Sequence, residues 1–216
     1  MKDKYKQERE QMVYNQLKSR GIKDDKIISA FLEVPRENFL SNDNKKYAYY
    51  DSAMPIGYSQ TISQPYIVAL MSEMLRLKED DIVLEVGSGS GYQSAIIAKI
   101  AKKVVSYEIV EELSKFAREN LKKSGINNVE VIYGDPAQKI KEKGVFDKCI
   151  ITAATKKVPS NIIESMKENA LIVVPEGDSL ELQILKIYQI TSNKLELKYE
   201  GIPVRFVPLK GKNQFQ

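Results

Sequence analysis

Residues 83–93, VLEVGSGSGYQ, decide how the chain reads. An apolar run (Ile82, Val83, Leu84, Val86) carries a single acid, Glu85, and breaks into three glycines at alternate positions, Gly87, Gly89 and Gly91. A helix-like pattern, SAIIAKI, follows at once at residues 94–100. Strand, glycine turn and helix together let a backbone come close to a nucleotide, because Cβ atoms at those positions would stand in the way. About twenty residues on, a second apolar run, Val104-Val105-Ser106-Tyr107, ends in Glu108. An acid at that strand tip can accept hydrogen bonds from ribose hydroxyls. The spacing is G-x-G-x-G; a dinucleotide fingerprint would put its third glycine at position 92, which is Tyr92. Glu85, just ahead of the glycines, would repel a pyrophosphate and attract a cation. The combination points to S-adenosylmethionine (SAM), whose sulfonium and ammonium groups are both positive.

The rest of the composition narrows the chemistry. A chain of 216 residues fits one α/β domain with modest additions. Its hydrophobic content of 43% and charged content of 29% are those of a soluble globular protein. The net charge of +4 comes from interspersed signs, too diffuse to argue for a nucleic-acid partner. No apolar run reaches membrane-spanning length, and MKDKYKQERE at the start does not read as a signal peptide. The lone cysteine, Cys149, falls in an apolar run and excludes disulfides and Cys-based metal sites, so a cytoplasmic address is expected. There is no histidine. A His triad, a His metal site and a His general base are therefore out, and no metal is expected.

Along the chain, residues 4–19 place Met12, Val13 and Leu17 at helical spacing, closed by Arg20-Gly21. Asp24 or Asp25 can cap a second helix that buries Ile27, Ile28, Phe31 and Leu32, and Val34-Pro35-Arg36 ends it. Residues 41–52 read as a tyrosine-rich loop. Residues 51–66, DSAMPIGYSQTISQPY, suit no regular element. Within them Ser63 can be an N-cap and Pro65 a first-turn proline for the amphipathic helix that follows, which leaves the remaining hydroxyls and amides unexplained. After the glycine turn, strand and helix alternate: a helix at 111–124, strands at 129–133 and 146–152, a helix at 159–167 and a strand at 170–174. That alternation predicts right-handed crossovers and a parallel sheet. From 180 the pattern changes to strands at 180–190, 194–199 and 204–209, read as antiparallel strands at the sheet's far edge. Asp135, at the end of the third strand, lies where an open α/β sheet opens its ligand crevice, and could accept from the adenine amino group.

With those residues in place, the sequence resembles the protein-L-isoaspartate O-methyltransferases. The likeness runs from Arg20-Gly21-Ile22 and Val34-Pro35-Arg36 through Pro55-Ile56-Gly57 and the specific Gln60-Thr61-Ile62-Ser63-Gln64-Pro65. It then takes in the glycine motif and closes at Val204-Arg205-Phe206-Val207-Pro208-Leu209. The glycine motif alone says only that SAM is bound; the TISQP and VRFVPL segments are what name the family.

The resemblance implies a Rossmann-like class I SAM methyltransferase fold: a mostly parallel sheet with helices on both faces, N-terminal helices and antiparallel C-terminal edge strands. It implies one domain over 1–216, with helices and an active-site loop in 1–66, the SAM-binding core in 67–178 and the edge strands in 179–216. By the same resemblance, Thr61, Glu85, Gly87, Gly89, Gly91, Glu108 and Asp135 contact the cofactor, which leaves as S-adenosylhomocysteine. Ser63 is the active-site hydroxyl, and Pro55, Ile56, Gln64, Val204, Arg205, Phe206 and Val207 wall the peptide site. The substrate is the side-chain carboxylate of an isoaspartyl residue in a damaged protein, with no stable nucleic-acid partner and no membrane. Two positions depart from the family pattern. Pro136 replaces a glycine and removes a backbone donor beside the adenine site, and Thr155-Lys156-Lys157 stand where the family is apolar and proline-containing. Two further readings share the fold: a methyltransferase of RNA, DNA or a small molecule, and a SAM-binding protein with weak catalysis. The stretch 152–155, TAAT, lacks the Asn/Asp-Pro-Pro-aromatic motif that clamps an exocyclic amine, which counts against a base methyltransferase.

Overall fold

The computed structural model describes residues 4–140, 143–178 and 181–211. Helix α1 (Lys6–Met12) runs into a π-helical turn, Val13–Leu17, and a 3-10 turn that Gly21 ends at φ +93°. The Asp24 carboxylate caps α2 (Asp25–Glu33) by accepting from the Lys26 and Ile27 amides. Ile27, Ile28, Ala30 and Phe31 form its buried side; Leu32, expected among them, is 39% exposed. The segment read as irregular contains a hairpin instead, β1 (Met54–Gly57) against β2 (Gln60–Ile62), with Pro55 opposite Thr61. Its two-residue turn, Tyr58-Ser59, has φ of 54° and 57°, the left-handed pair that the twist of a tight hairpin demands.

Helix α3 (Pro65–Met74) then leads to β3 (Ile82–Val86), α4 (Tyr92–Ala98), β4 (Lys103–Glu108), α5 (Glu111–Lys123) and β5 (Val129–Tyr133). A short α6 (Pro136–Lys139), β6 (Phe146–Ile151), α7 (Ser160–Ser165), β7 (Met166–Glu176), β8 (Gln183–Thr191) and β9 (Lys194–Val204) complete the order. The main sheet runs β5-β4-β3-β6-β7-β8-β9, parallel from β5 to β7 and antiparallel from β7 to β9. The chain leaves β3 toward β5 and returns to the other side of β3 as β6. A crevice therefore opens at the carboxyl ends of β3, β4 and β6, where a doubly wound sheet takes its ligands.

Side chains alternate across the sheet. Val83, Ile150, Val173 and Leu185 join the layer built with α2, α3 and α4. Leu84, Cys149, Ile151 and Ile172 join the opposite layer with Ile162 of α7. The fold class expected from the sequence is the one observed.

The C-terminal edge differs from its sequence reading. Instead of ending at residue 199, β9 runs on unbroken through Gly201 and Pro203. It is the outermost strand, where a missing N–H costs no ladder bond, and its pairing with β8 absorbs register shifts near Leu185 and Tyr188. Residues 205–209 then leave the sheet rather than forming a third strand, held to the end of β6 by Ala154 N–H to Val207 O and Leu209 N–H to Ala154 O, both 2.8 Å. Leu180, where the first of these strands was expected to begin, lies outside the described residues.

Candidate active site

At the end of β3 the backbone turns through Gly87, Gly89 and Gly91, all with positive φ. Gly87 and Ser88 donate to the Tyr107 carbonyl at 2.8 and 3.2 Å, tying the turn to β4. A Cβ on Gly87 would stand 2.5 Å from the Thr152 hydroxyl, and one on Gly91 3.3 Å from the Ala117 carbonyl of α5. A side chain at either place would crowd its neighbour and strain a backbone already at positive φ.

Glu108 closes the turn from the β4 side. One carboxylate oxygen accepts from the Gly89 amide at 2.8 Å and the other from the Val110 amide at 3.0 Å. The residue is 6% exposed and lines a narrow cleft with Gly87, Gly89, Ile109, Pro136 and Leu209. Each oxygen keeps a further lone pair for a ligand hydroxyl.

Glu85 lies elsewhere than the cleft wall. It is fully buried under the turn, and Ser94 and Ser106 both donate to one of its oxygens, Ser106 at 2.5 Å. The Ser106 hydroxyl also lies 2.5 Å from that of Ser88 in the turn. Among the described residues the second carboxylate oxygen has no hydrogen-bond partner. Burial pushes the carboxyl up to about 7, against the two serine bonds and with Glu108 adding to the rise. When Glu85 is ionised, its unpaired oxygen and the nearby Glu108 place negative charge beneath the turn.

Asp135 follows β5 and accepts from the Gln138 amide nitrogen at 2.9 Å. The strap after β9 crosses it, since a Cβ on Gly211 would meet the Asp135 carboxylate at 2.9 Å. Pro136, beside it, contributes to the cleft wall, and its carbonyl accepts from Asn161 at 2.6 Å.

A second cavity of about 400 Å³ opens on the other side of the strap. Asp51, Thr61, Ser63, Gln64, Val204 at the end of β9 and the strap residues Arg205, Phe206 and Val207 surround it. Ser63 also lines a small hollow that reaches Gly87, Ser88 and Tyr92, so it borders both the larger cavity and the space beside the glycine turn. The capping role considered for Ser63 is absent: Gln64 is the N-cap residue of α3, and no side chain caps that end. Among the described residues nothing hydrogen-bonds to the Ser63 hydroxyl, while its carbonyl accepts from Arg36 at 2.8 Å.

Pro55 and Ile56, expected in the peptide wall, lie on β1 outside this cavity. Ile56 leans on the glycine turn, its Cδ1 3.4 Å from the place a Gly89 Cβ would take. Two residues join the site that sequence reasoning did not single out. Thr152, just past β6, lines the cleft, the hollow and the larger cavity together with Thr61. Asp51 is held by Arg20 at 3.1 Å and by Gln64 at 2.8 Å, with the Arg20 guanidinium 3.6 Å from the centre of the Tyr66 ring. The hydroxyl at a strand end was the only signal for Thr152.

The profile of the protein-L-isoaspartate (D-aspartate) O-methyltransferases matches residues 7–214. A protein-L-isoaspartate O-methyltransferase of Dictyoglomus turgidum is 44% identical over 209 residues, covering 96% of this chain and 93% of its own. A solved protein-L-isoaspartate O-methyltransferase superposes with a TM-score of 0.86 at 28% identity, over 96% of this chain and 67% of that one. The Plasmodium falciparum enzyme solved with S-adenosyl-L-homocysteine gives 0.79 at 27% identity, over 92% and 96% of the two chains. A match over almost every residue, by sequence and by fold, reaches the segments on both sides of the Ser63 passage, and on that ground the chain belongs to the protein-L-isoaspartate (D-aspartate) O-methyltransferase family.

Proposed function

We propose that the chain methylates the side-chain carboxylate of isoaspartyl residues in damaged proteins, with SAM as the methyl donor and the cytoplasm as its setting. The observation that carries this is the placement of Ser63, with a free hydroxyl, bordering both a peptide-sized cavity and the space beside the glycine turn. The residues of the cleft suit the cofactor: a turn that a Cβ at Gly87 would crowd, an acid with both oxygens ordered at Glu108, and an unpaired carboxylate oxygen at Glu85 beneath. When bound, SAM supplies a methyl group on a positively charged sulfur.

In this reading Glu108 holds the ribose hydroxyls, Gly87 and Gly89 let the backbone come close, and Asp135 faces the adenine end. Glu85 supplies negative charge from below rather than a direct contact. On the peptide side the isoaspartyl carboxylate is already ionised at neutral pH, so the chain needs no general base, which agrees with its lack of histidine. The Ser63 hydroxyl donates to that carboxylate and orients it. Exposed Arg205 on the strap draws the anion in, and the strap itself keeps water from the meeting point. Residues 1–66 and the strap after β9 act with the 67–178 core as one catalytic unit.

The experiment is a methyl-transfer assay with paired peptides that differ only in an isoaspartyl or an aspartyl linkage. Transfer to the isoaspartyl member alone supports the reading; equal transfer, or none with SAM bound, overturns it.

A further inference from the structure

Read from the sequence, Arg36 follows the proline that stops α2 and shares in the family likeness. Among the described residues it is the largest fully buried side chain, with none of its surface exposed. Its Nε donates to the Ala48 carbonyl and one terminal nitrogen to the Ser63 carbonyl, both at 2.8 Å. The other terminal nitrogen is buried, with no hydrogen bond among the described residues. The guanidinium carbon lies 4.8 Å from the centre of the Tyr92 ring, and among the described residues no carboxylate pairs with it. Burial lowers its pKa to about 10, so it stays charged at neutral pH.

A buried cation without a carboxylate is an expensive way to fill space. The desolvation penalty of one ion is several kcal/mol even after relaxation, and a methionine of similar length would occupy the site without it. What methionine lacks is a planar fork that fixes two carbonyls at once. Those carbonyls are well placed. Ala48 leads into Asp51, one wall of the peptide-side cavity, and Ser63 lines both that cavity and the hollow by the glycine turn.

The third contact, Tyr92, is the first residue of α4 and follows Gly91 directly. Its ring is held edge-on by Phe31 and Phe39, at centroid distances of 5.9 and 5.4 Å. One rigid group thus touches the helix behind the cofactor turn and the backbone of the proposed active-site serine.

We propose that Arg36 is a positioning residue for methyl transfer: through the Ser63 carbonyl and the Tyr92 ring it registers the Ser63 hydroxyl against the glycine turn. This rests on the role given above to Ser63, and the two can fail separately.

The test is a double-mutant cycle in the full chain. Arg36→Lys keeps charge and length but cannot serve both carbonyls in one plane; Arg36→Met removes the donors altogether. Each is measured alone and with Ser63→Ala, for kcat and KM with an isoaspartyl peptide and for S-adenosylhomocysteine affinity by calorimetry. Arg36→Lys is expected to lower kcat about tenfold, less than the roughly hundredfold that a 1 Å misplacement can cost, and to leave cofactor affinity within about threefold. In the Ser63→Ala background the same change should alter kcat by less than about twofold, because two residues acting through one contact are not additive. Should Arg36→Met fail to fold, Arg36→Lys carries the cycle alone. Unchanged kcat in Arg36→Lys, or losses that multiply with Ser63→Ala, overturn the inference. An unmodified chain that binds S-adenosylhomocysteine yet methylates no isoaspartyl peptide overturns the function itself, and the inference falls with it.

Discussion

The Thr152 hydroxyl donates to the Gly87 carbonyl at 2.7 Å, and it occupies the space that a side chain on Gly87 would need. The glycine is thus required twice, by a φ of +98° and by the hydroxyl pressed against it. Gly87→Ala should destabilise the fold by about 1–3 kcal/mol, the cost of holding such a backbone with a Cβ in place. In a Thr152→Ala background the clash goes and the φ strain stays, so the penalty should shrink without vanishing. Urea unfolding of the four variants measures this, and a Gly87→Ala protein as stable as the parent would show that the turn has another way to relax.

Glu85 should make stability depend on pH. Its carboxyl is raised from 4.5 to about 7 in the folded chain, by burial above all. Between about pH 4.5 and 7 the folded state therefore holds a proton that the unfolded chain has already released. The stability this contributes is fully present below about pH 4.5 and is lost as pH rises through about 7. Glu85→Gln cannot titrate, so relative to the parent it should gain stability from pH 5 to pH 8, by on the order of 3 kcal/mol at full effect. Parallel Tm profiles for the two proteins across that range would contradict the raised value.

Removing the Glu108 carboxylate takes away the acceptor for two turn amides as well as the proposed ribose contact. Glu108→Ala should weaken S-adenosylhomocysteine binding by roughly 1.5–3 kcal/mol, the range for a hydrogen bond to a charged group, while the protein stays folded. Calorimetric titration reads this directly, and an unaltered dissociation constant would remove Glu108 from the site.

Since Ser63 caps nothing, its loss should spare the fold. Ser63→Ala is expected to change stability by no more than about 0.5 kcal/mol and to cut methyl transfer on the order of a hundredfold. Ser63→Asp should fold and bind S-adenosylhomocysteine but be nearly inactive, because an ionised side chain cannot donate to the substrate carboxylate and repels it. Near-parental turnover in Ser63→Asp would end the orienting role.

What could be read beforehand was whatever leaves a local mark. Glycines at 87, 89 and 91, an acid at 108 and the alternation of strand and helix each carry their structural reason in a few neighbouring residues, and the sheet follows from them. The β1–β2 hairpin left no such mark, because its left-handed turn is built from Tyr58 and Ser59 in place of the glycine or asparagine that usually signals one. Gly201 and Pro203 mark a break that an outer strand does not need to make. Ser63 looked like a cap because position alone cannot tell a cap from the residue before it. Glu85 stood at the right distance from the glycines, but which way a strand residue points at the end of β3 depends on Ser94 and Ser106, which only the packed helix and sheet bring to it. Arg36 and Thr152 act on residues far along the chain, and no short window contains both partners.

Thr61 and Thr152 are the residues shared by the cleft, the hollow and the larger cavity. In the proposed reading the cofactor cleft and the peptide-side cavity meet at these two hydroxyls, so a change at either should disturb both ligands at once.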